Sequence, residues 1–479
     1  MKESRISNRV HEFLENLSYT FSANLIRMII SVITVLFLPK LLGVAEYGYY
    51  QLYLLYVSYV GIIQMGWADG VYLRYGGKNY DSLNRGLIGS QFWLLTMFYI
   101  LLASLIYVLS INLFSEEVYS NILLYTLISG FLTTPSGLLH YVLQATSRIK
   151  EYGKLVIIDR LVYIVVLLLF LFSDINSYEI VILSDLAGKG FSAVLTVFLC
   201  KDVVFTKLIS FFEAIRESYI NISSGLKLMV ANIASTLVIG IIRINIENKW
   251  GIEEFSKVSL TLSISNLFMV FVNAVALVIF PQLRRTASSN LGQLYRIIRI
   301  VLMIPLLFTL TFYYPINSIL VDWLPQYADG LEYMALLFPI VIFESKMALL
   351  VNTYLKTLRK EKSLLLINLA TVALSFCTTY FTVYILENFN LTILSIVILL
   401  AFRSTVAELY ISNVLQISVT KDIVFELSLT IIFIIVSWYI GGWTSTFIYL
   451  VSFLIYVLIN RSEMRSMFYY IKKHITNPI

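Results

Sequence analysis

The chain has 479 residues, of which 59% are hydrophobic and 13% charged, with a formal net charge of +6. Soluble domains carry about 25% charged residues, so this composition excludes a water-soluble globular protein. Leu/Ile/Val runs of helical length likewise exclude a β-barrel, whose strands alternate over about 10 residues. At roughly 20 apolar residues per crossing, the sequence predicts an all-α polytopic membrane protein of about 14 transmembrane helices.

The first sixteen residues, "MKESRISNRVHEFLEN", are charged for too long to be a signal peptide, and a full spanning run follows them, so the N-terminal segment is expected to be retained. Six spans are then predicted at 17–38, 47–66, 87–110, 119–143, 155–172 and 178–200. Between the second and third lies "GWADGVYLRYGGKNYD", polar and rich in glycine. It reads as a connection whose Gly76-Gly77 pair permits a tight turn and whose basic residues meet lipid headgroups. Segment 201–218, "KDVVFTKLISFFEAIRES", is predicted to be an amphipathic helix lying in the membrane interface. Six further spans follow at 220–246, 254–280, 294–315, 331–355, 363–386 and 391–415, then two more at 425–440 and 443–460. The implied organisation is a six-helix lobe over 1–200, a linker over 201–218 and a second six-helix lobe over 219–415. Two extra helices and a basic tail occupy 416–479.

Orientation follows from the connections. Of the 35 lysines and arginines, 25 fall on alternate connections and the two termini, against only Lys40 and Lys249 on the other set. That series includes Arg296 and Arg299. Cytoplasmic loops carry the basic excess, so both termini are expected in the cytoplasm. No connection is much longer than about 20 residues, which leaves no folded extramembrane domain.

An internal repeat marks the two halves. Gly43-Val44-Ala45-Glu46-Tyr47 aligns without gaps on Gly251-Ile252-Glu253-Glu254-Phe255, each joining the first two helices of a predicted lobe. A duplicated unit with an even number of helices places two lobes about a pseudo-two-fold axis along the membrane normal, with a cavity expected between them.

No nucleic-acid, metal or catalytic pattern accompanies this. Cys200 and Cys377 fall in or beside apolar runs, the three histidines are scattered, and no HExxH, CxxC or Walker-type loop occurs. The outside connections are too short for a membrane enzyme that would expose acids or histidines there. A transporter without a cofactor is expected, with Na⁺ or H⁺ coupling left open.

The informative residues are charges inside helices, where an ion costs about 2.5–3.5 kcal/mol on insertion scales. Arg27 lies mid-helix on a polar stripe of Thr20, Asn24, Ser31 and Thr34. Lys227 lies two turns into the seventh span. Arg243 lies near that span's outer end, where a pair with Glu247 is the alternative. The eighth span carries Ser259, Ser263, Asn266 and Asn273 on one face, either cavity wall or helix–helix glue. Lys257 reads as snorkelling. Asp185 and Lys189 are four apart and expected to pair. Glu344 and Lys346 are two apart and face different ways, leaving Glu344 as a central unpaired acid. Arg403 with Glu408 reads as structural, and Arg160 with Asp159 as needing no special role. Substrate contacts are therefore expected from Arg27, Lys227, Arg243, Lys189, Lys346, Asn24 and Asn266, and ion coupling from Glu344 or Asp185. The excess of cations predicts an anionic head group.

Three stretches resemble a known family. "GWADGVYLRYGGKNYD", "LPKLLGVAEYGYYQLYL" and "RINIENKWGIEEFSKVSLTLSISNLFMVFVNAVALVIFPQLRR" are similar to regions of polysaccharide biosynthesis proteins, the lipid-linked oligosaccharide flippases of the multidrug/oligosaccharidyl-lipid/polysaccharide exporter superfamily. The resemblance implies a MATE-like, two-lobed, alternating-access fold with a cationic central cavity and a basic residue at Arg27. Many relatives place an acid before the arginine of the seventh helix; here Ile242 precedes Arg243. The expected substrate is an undecaprenyl-pyrophosphate-linked oligosaccharide in a bacterial cytoplasmic membrane. Membrane lipids and a polysaccharide polymerase are the expected partners, and nucleic acid is not. A cation-coupled multidrug exporter of the same superfamily is the alternative.

Overall fold

The computed structural model describes residues 25–26, 28–111, 116–171, 177–285 and 291–461, excepting the side chains at 171 and 270–285. The chain divides into two compact units, Met1–Thr236 and Leu237–Ile479. Unit 1 contains α1 (Met28–Leu42), α2 (Val44–Val57), α3 (Trp67–Tyr75), α4 (Arg85–Ile111), α5 (Glu117–Ala145), α6 (Ile149–Leu171), α7 (Tyr178–Leu199) and the single turn α8 (Lys201–Val204). Helix α9 (Phe211–Trp250) carries the boundary between the units within its length. Unit 2 continues with α10 (Ile252–Arg285), α11 (Leu291–Trp323), α12 (Met334–Thr357), α13 (Glu361–Ile385), α14 (Phe389–Leu415), α15 (Thr420–Tyr439) and α16 (Gly442–Ile459).

Among the described residues each predicted span overlaps a helix, although the first is described only in part and the second is α-helical only as far as Val57, with a short 3-10 turn over Val60–Ile62; ten of the described helices are long and apolar enough to cross a membrane. The chain is an all-α, multi-pass membrane protein. Two elements depart from expectation. Trp67–Tyr75, anticipated as connection, is helical, with Trp67, Ala68, Asp69, Gly70 and Val71 buried. The chain enters α3 through left-handed backbone at Met65 (φ 51°) and Gly66 (φ 78°) and leaves it through Gly77 (φ 86°), whose N–H donates to the Ala145 carbonyl at 3.0 Å. The anticipated interfacial helix over 201–218 is broken instead. Only Lys201–Val204 and the residues from Phe211 onward are helical, and α9 begins nine residues before its predicted start at 220.

The repeated joints fold alike. Gly43 (φ 83°) and Gly251 (φ 88°) both adopt a conformation open chiefly to glycine, and a helix starts at the next residue in each case. Tyr47 and Phe255, equivalent in the alignment, are both 1% exposed, and their N–H groups donate to the carbonyls of Gly43 and Gly251. The acids diverge: Glu46 accepts the Tyr178 N–H at 2.7 Å, whereas Glu254 pairs with Lys257 at 2.7 Å.

In unit 1, α5 packs against α2, α3, α4, α6 and α7. Its small residues allow this: Gly130 leaves room for the Tyr99 hydroxyl, which donates to the Leu127 carbonyl at 3.0 Å. In unit 2, α12 is the enclosed helix, most of its residues being buried among α10, α11 and α14.

Candidate functional site

Four charges from two helices meet in unit 1. On α7, one turn separates Asp185 from Lys189, and the pair closes at 2.5 Å. Asp185 also accepts the Tyr53 hydroxyl at 2.8 Å and lies 3.5 Å from Arg160 on α6, which in turn pairs with Asp159 at 3.1 Å. Lys189 donates to Ser129 Oγ at 2.8 Å as well. Two cations and two carboxylates balance, which is how an intramembrane charge cluster becomes affordable. A cavity of about 210 Å³ opens beside it, lined by Ser136, His140, Asp159, Arg160, Lys189 and Ser192. The pairing anticipated for Asp185 with Lys189 is present. Arg160 and Asp159, expected to have no special role, are members of the same cluster, because α6 and α7 pack along their length.

Unit 2 holds a more enclosed group. Lys346, expected as a substrate ligand, is fully buried between Glu408 Oε2 and Glu426 Oε2, each 2.8 Å from its Nζ. Glu344, expected to be unpaired, lies 2.5 Å from Arg403. Arg299, counted above among the connection residues, is 1% exposed and joins Glu408 at 2.6 Å and Glu426 at 3.1 Å. Periodicity within one helix cannot show these pairs, since each links residues from different helices. Arg243 donates to Ser259 Oγ at 2.8 Å and stacks over the Phe255 ring at 5.0 Å, tying α9 to α10. Ser259 therefore acts as helix–helix glue.

Lys227 is different. It is exposed on α9 next to the exposed Ser223 and Ser224, and it makes no ion pair with any described residue. A polar, cationic face on a spanning helix is matched to water and not to acyl chains. Asn266 is likewise exposed, on α10. Arg27 and Asn24 lie outside the described residues, as does the Asn273 side chain.

A further contact in unit 1 had no predicted counterpart. Arg74 on α3 pairs with Glu217 at 2.7 Å and donates to Asn221 Oδ1 at 2.5 Å, both on α9. Asn221 donates to Gln91 Oε1 at 2.6 Å, and Gln91 also accepts the Trp67 indole N–H at 3.0 Å. The backbones cross closely enough that a Cβ at Gly70 would fall on the Asn221 carbonyl oxygen, and one at Gly225 on that of Gly66. The glycines of "GWADG" and "SSGLK" were its only trace in the sequence.

The fold has solved counterparts. The chain is similar to an inward-facing multidrug resistance MATE family transporter of the MOP superfamily, with 12% identity over 82% of this chain and 98% of that one, at a TM-score of 0.61. It is also similar to the lipid II flippase MurJ in an inward closed conformation, with 13% identity over 94% of this chain and 100% of that one, at a TM-score of 0.65. An outward-facing MATE family transporter matches at a TM-score of 0.53 with 12% identity, over 84% and 96% of the two chains. At such identities the shared property is the fold, which is MATE-like. No protein-family model and no curated protein matches the chain.

Proposed function

We propose that this protein moves an undecaprenyl-pyrophosphate-linked oligosaccharide from the cytoplasmic to the outer leaflet of a bacterial cytoplasmic membrane by alternating access, supplying surface polysaccharide synthesis. The observation that carries this reading is Lys227, an exposed cation on the polar face of a spanning helix that no described carboxylate neutralises. It stands in a fold shared with a lipid II flippase, whose name already joins this architecture to a lipid-linked cargo. A pyrophosphate offers the anionic oxygens that an uncommitted ammonium or guanidinium binds best. Arg27 is proposed as its companion and Arg243 as a flanking contact. Lys189 and Lys346, held by carboxylates, are left out of the binding set. The prenyl chain stays in lipid while the sugars, which hydrocarbon does not solvate, cross in a polar environment. Outward movement of negative charge across an inside-negative membrane is downhill by about 2.3 kcal/mol per elementary charge per 100 mV.

In the exporter reading, favoured by the match to MATE transporters, a membrane acid must be free to exchange its ion. Asp185, the candidate in unit 1, is clasped by Lys189, Arg160 and Tyr53, which weighs against that reading.

The test is made in cells that depend on this chain for their surface polymer. Lys227→Ala and Arg27→Ala should each insert at normal levels and cut surface polysaccharide at least tenfold, one such factor being about 1.4 kcal/mol of lost binding. Undiminished polymer from both variants would remove these cations from the site and the flippase reading with them.

A further inference from the structure

The two units close one corresponding corner differently. In unit 1 the chain turns from α5 into α6 through Ser147 (φ 63°), and the Arg148 N–H donates to the Leu143 carbonyl at 2.8 Å. In unit 2 it turns from α12 into α13 through Arg359 (φ 55°), and the Lys360 N–H donates to the Leu355 carbonyl at 2.8 Å. In each unit a glycine also brings another helix against a chain end. On α4, a Cβ added to Gly89 would fall on the Val203 carbonyl oxygen, just past α7. On α11, one added to Gly292 would lie 3.4 Å from the carbonyl oxygen of Leu415, the last residue of α14, and 3.2 Å from Ile417.

In unit 1 the corner is filled by the chain itself. The turn α8 follows α7 directly, Val203 and Val204 are at most 1% exposed, and the Trp93 indole N–H donates to the Val204 carbonyl at 3.0 Å. Asp202 on the same turn pairs with Arg85 at 3.3 Å. In unit 2 no helical turn follows α14, and residues 416–419 lead straight into α15. A cavity of about 490 Å³ remains there, with Leu291, Gln293, Arg296, Leu358, Val414 and Ile417 in its walls. Arg296 stands four residues after Gly292, as Trp93 does after Gly89. It is exposed and makes no hydrogen bond or ion pair with any described residue. Lys356, Arg359 and Lys360, on the joint that supplies Leu358, are exposed as well. Since α11, α12 and α14 are all long and apolar enough to span, the ends they share at this cavity lie at the level of lipid head groups.

We propose that this cavity holds one anionic phospholipid of the surrounding bilayer, with phosphatidylglycerol as the fitting chemistry. A guanidinium with no protein partner presents a planar fork of donors that matches a phosphate group. Basic pockets between spanning helices take anionic head groups on this principle. The Leu415 carbonyl accepts no hydrogen bond from the described residues and receives the glycerol hydroxyls of the head group. Leu358, Val414 and Ile417 cover the first methylenes of the acyl chains, which continue into the bilayer. The lipid thus occupies in unit 2 the place that Val203 and Val204 take in unit 1, and it joins α11 to the end of α14. This is a resident-lipid site, and it does not rest on the flippase reading or its cargo.

Native mass spectrometry of the full chain, delipidated in detergent and titrated with single lipids, tests the site. Wild-type protein should bind its first phosphatidylglycerol about tenfold tighter than phosphatidylethanolamine, the scale of one charge-assisted contact. Arg296→Ala should lose that preference. Val414→Trp, at a position 37% exposed, fills the cavity while keeping the arginine, and should weaken phosphatidylglycerol binding to a similar extent. Lys154→Ala, which removes an exposed cation from α6 of unit 1, should bind as wild type does. An undiminished preference in R296A, or undiminished phosphatidylglycerol binding in V414W, would overturn the assignment. So would an equal loss in K154A, which would mark a general attraction to basic surface. Equal binding of the two lipids by wild type would reduce the cavity to an apolar groove. Displacement of the lipid by inorganic phosphate alone would make it a site for a soluble anion, and either result would likewise overturn it.

Discussion

Basic side chains inside the helices divide by partner. Arg160, Lys189, Arg299, Lys346 and Arg403 each touch a carboxylate, whereas Lys227 touches none among the described residues. The distinction decides role, because a cation already held by an acid in low dielectric gains little from a second anion. Removing such a cation leaves its carboxylates uncompensated, which costs about 3–5 kcal/mol for a broken buried pair. Lys346→Ala should therefore lower thermal stability in detergent by that order, while Lys227→Ala should leave it unchanged. Equal melting behaviour of the two variants would show that the Lys346 contacts do not hold unit 2 together. Sequence reasoning could rank both lysines as intramembrane cations but could not separate them. The partners of Lys346 come from α14 and α15, 62 and 80 residues away, and no periodicity within one helix carries that information.

Among elements, α3 and its crossing with α9 matter most. The stretch from Gly66 to Asp81 looked like a loop because its apolar residues are diluted by glycine, tyrosine and charge. Its first part, Trp67–Tyr75, folds as helix because Gly66 and Gly70 serve the close approach to α9 while Trp67, Val71 and Tyr75 fill the core against α4 and α5. Gly70→Ala should force the two helices apart and cost about 1–3 kcal/mol, the range for overpacking. Gly137→Ala, on α5 with no atom within 4 Å of the added carbon, should be neutral or stabilising by about 0.5–1 kcal/mol. Thermal denaturation of the two single variants checks this pair, and a G70A protein as stable as G137A would contradict the tight crossing. The turns at Gly43 and Gly251 were by contrast readable beforehand, since a glycine at a short joint followed by a helix-starting acid is a local device. Local devices and apolar run lengths were legible; contacts across helices were not.

For the whole molecule, hydropathy and run length carried the fold class correctly, because a bilayer forces backbone groups to be satisfied within each crossing and so makes spans visible one at a time. Among the described residues every predicted run overlaps a helix, and the solved counterparts share the architecture despite identities of 12–13%. Cargo is a different matter, as it depends on a few side chains, proposed here to be Arg27 and Lys227, and not on the helical scaffold. The account therefore stands or falls on whether an anionic lipid head group is moved by those cations. The direct measurement is reconstitution of the protein in vesicles loaded with a fluorescent polyprenyl-pyrophosphate-linked sugar, followed by the rate at which that sugar becomes accessible to a reagent confined to the opposite side. Wild-type protein should expose it, and the Arg27→Ala/Lys227→Ala variant, inserted to the same level, should be slowed to the rate of protein-free vesicles. Equal rates for variant and wild type, or movement of a lipophilic cation in place of the lipid-linked sugar, would contradict it.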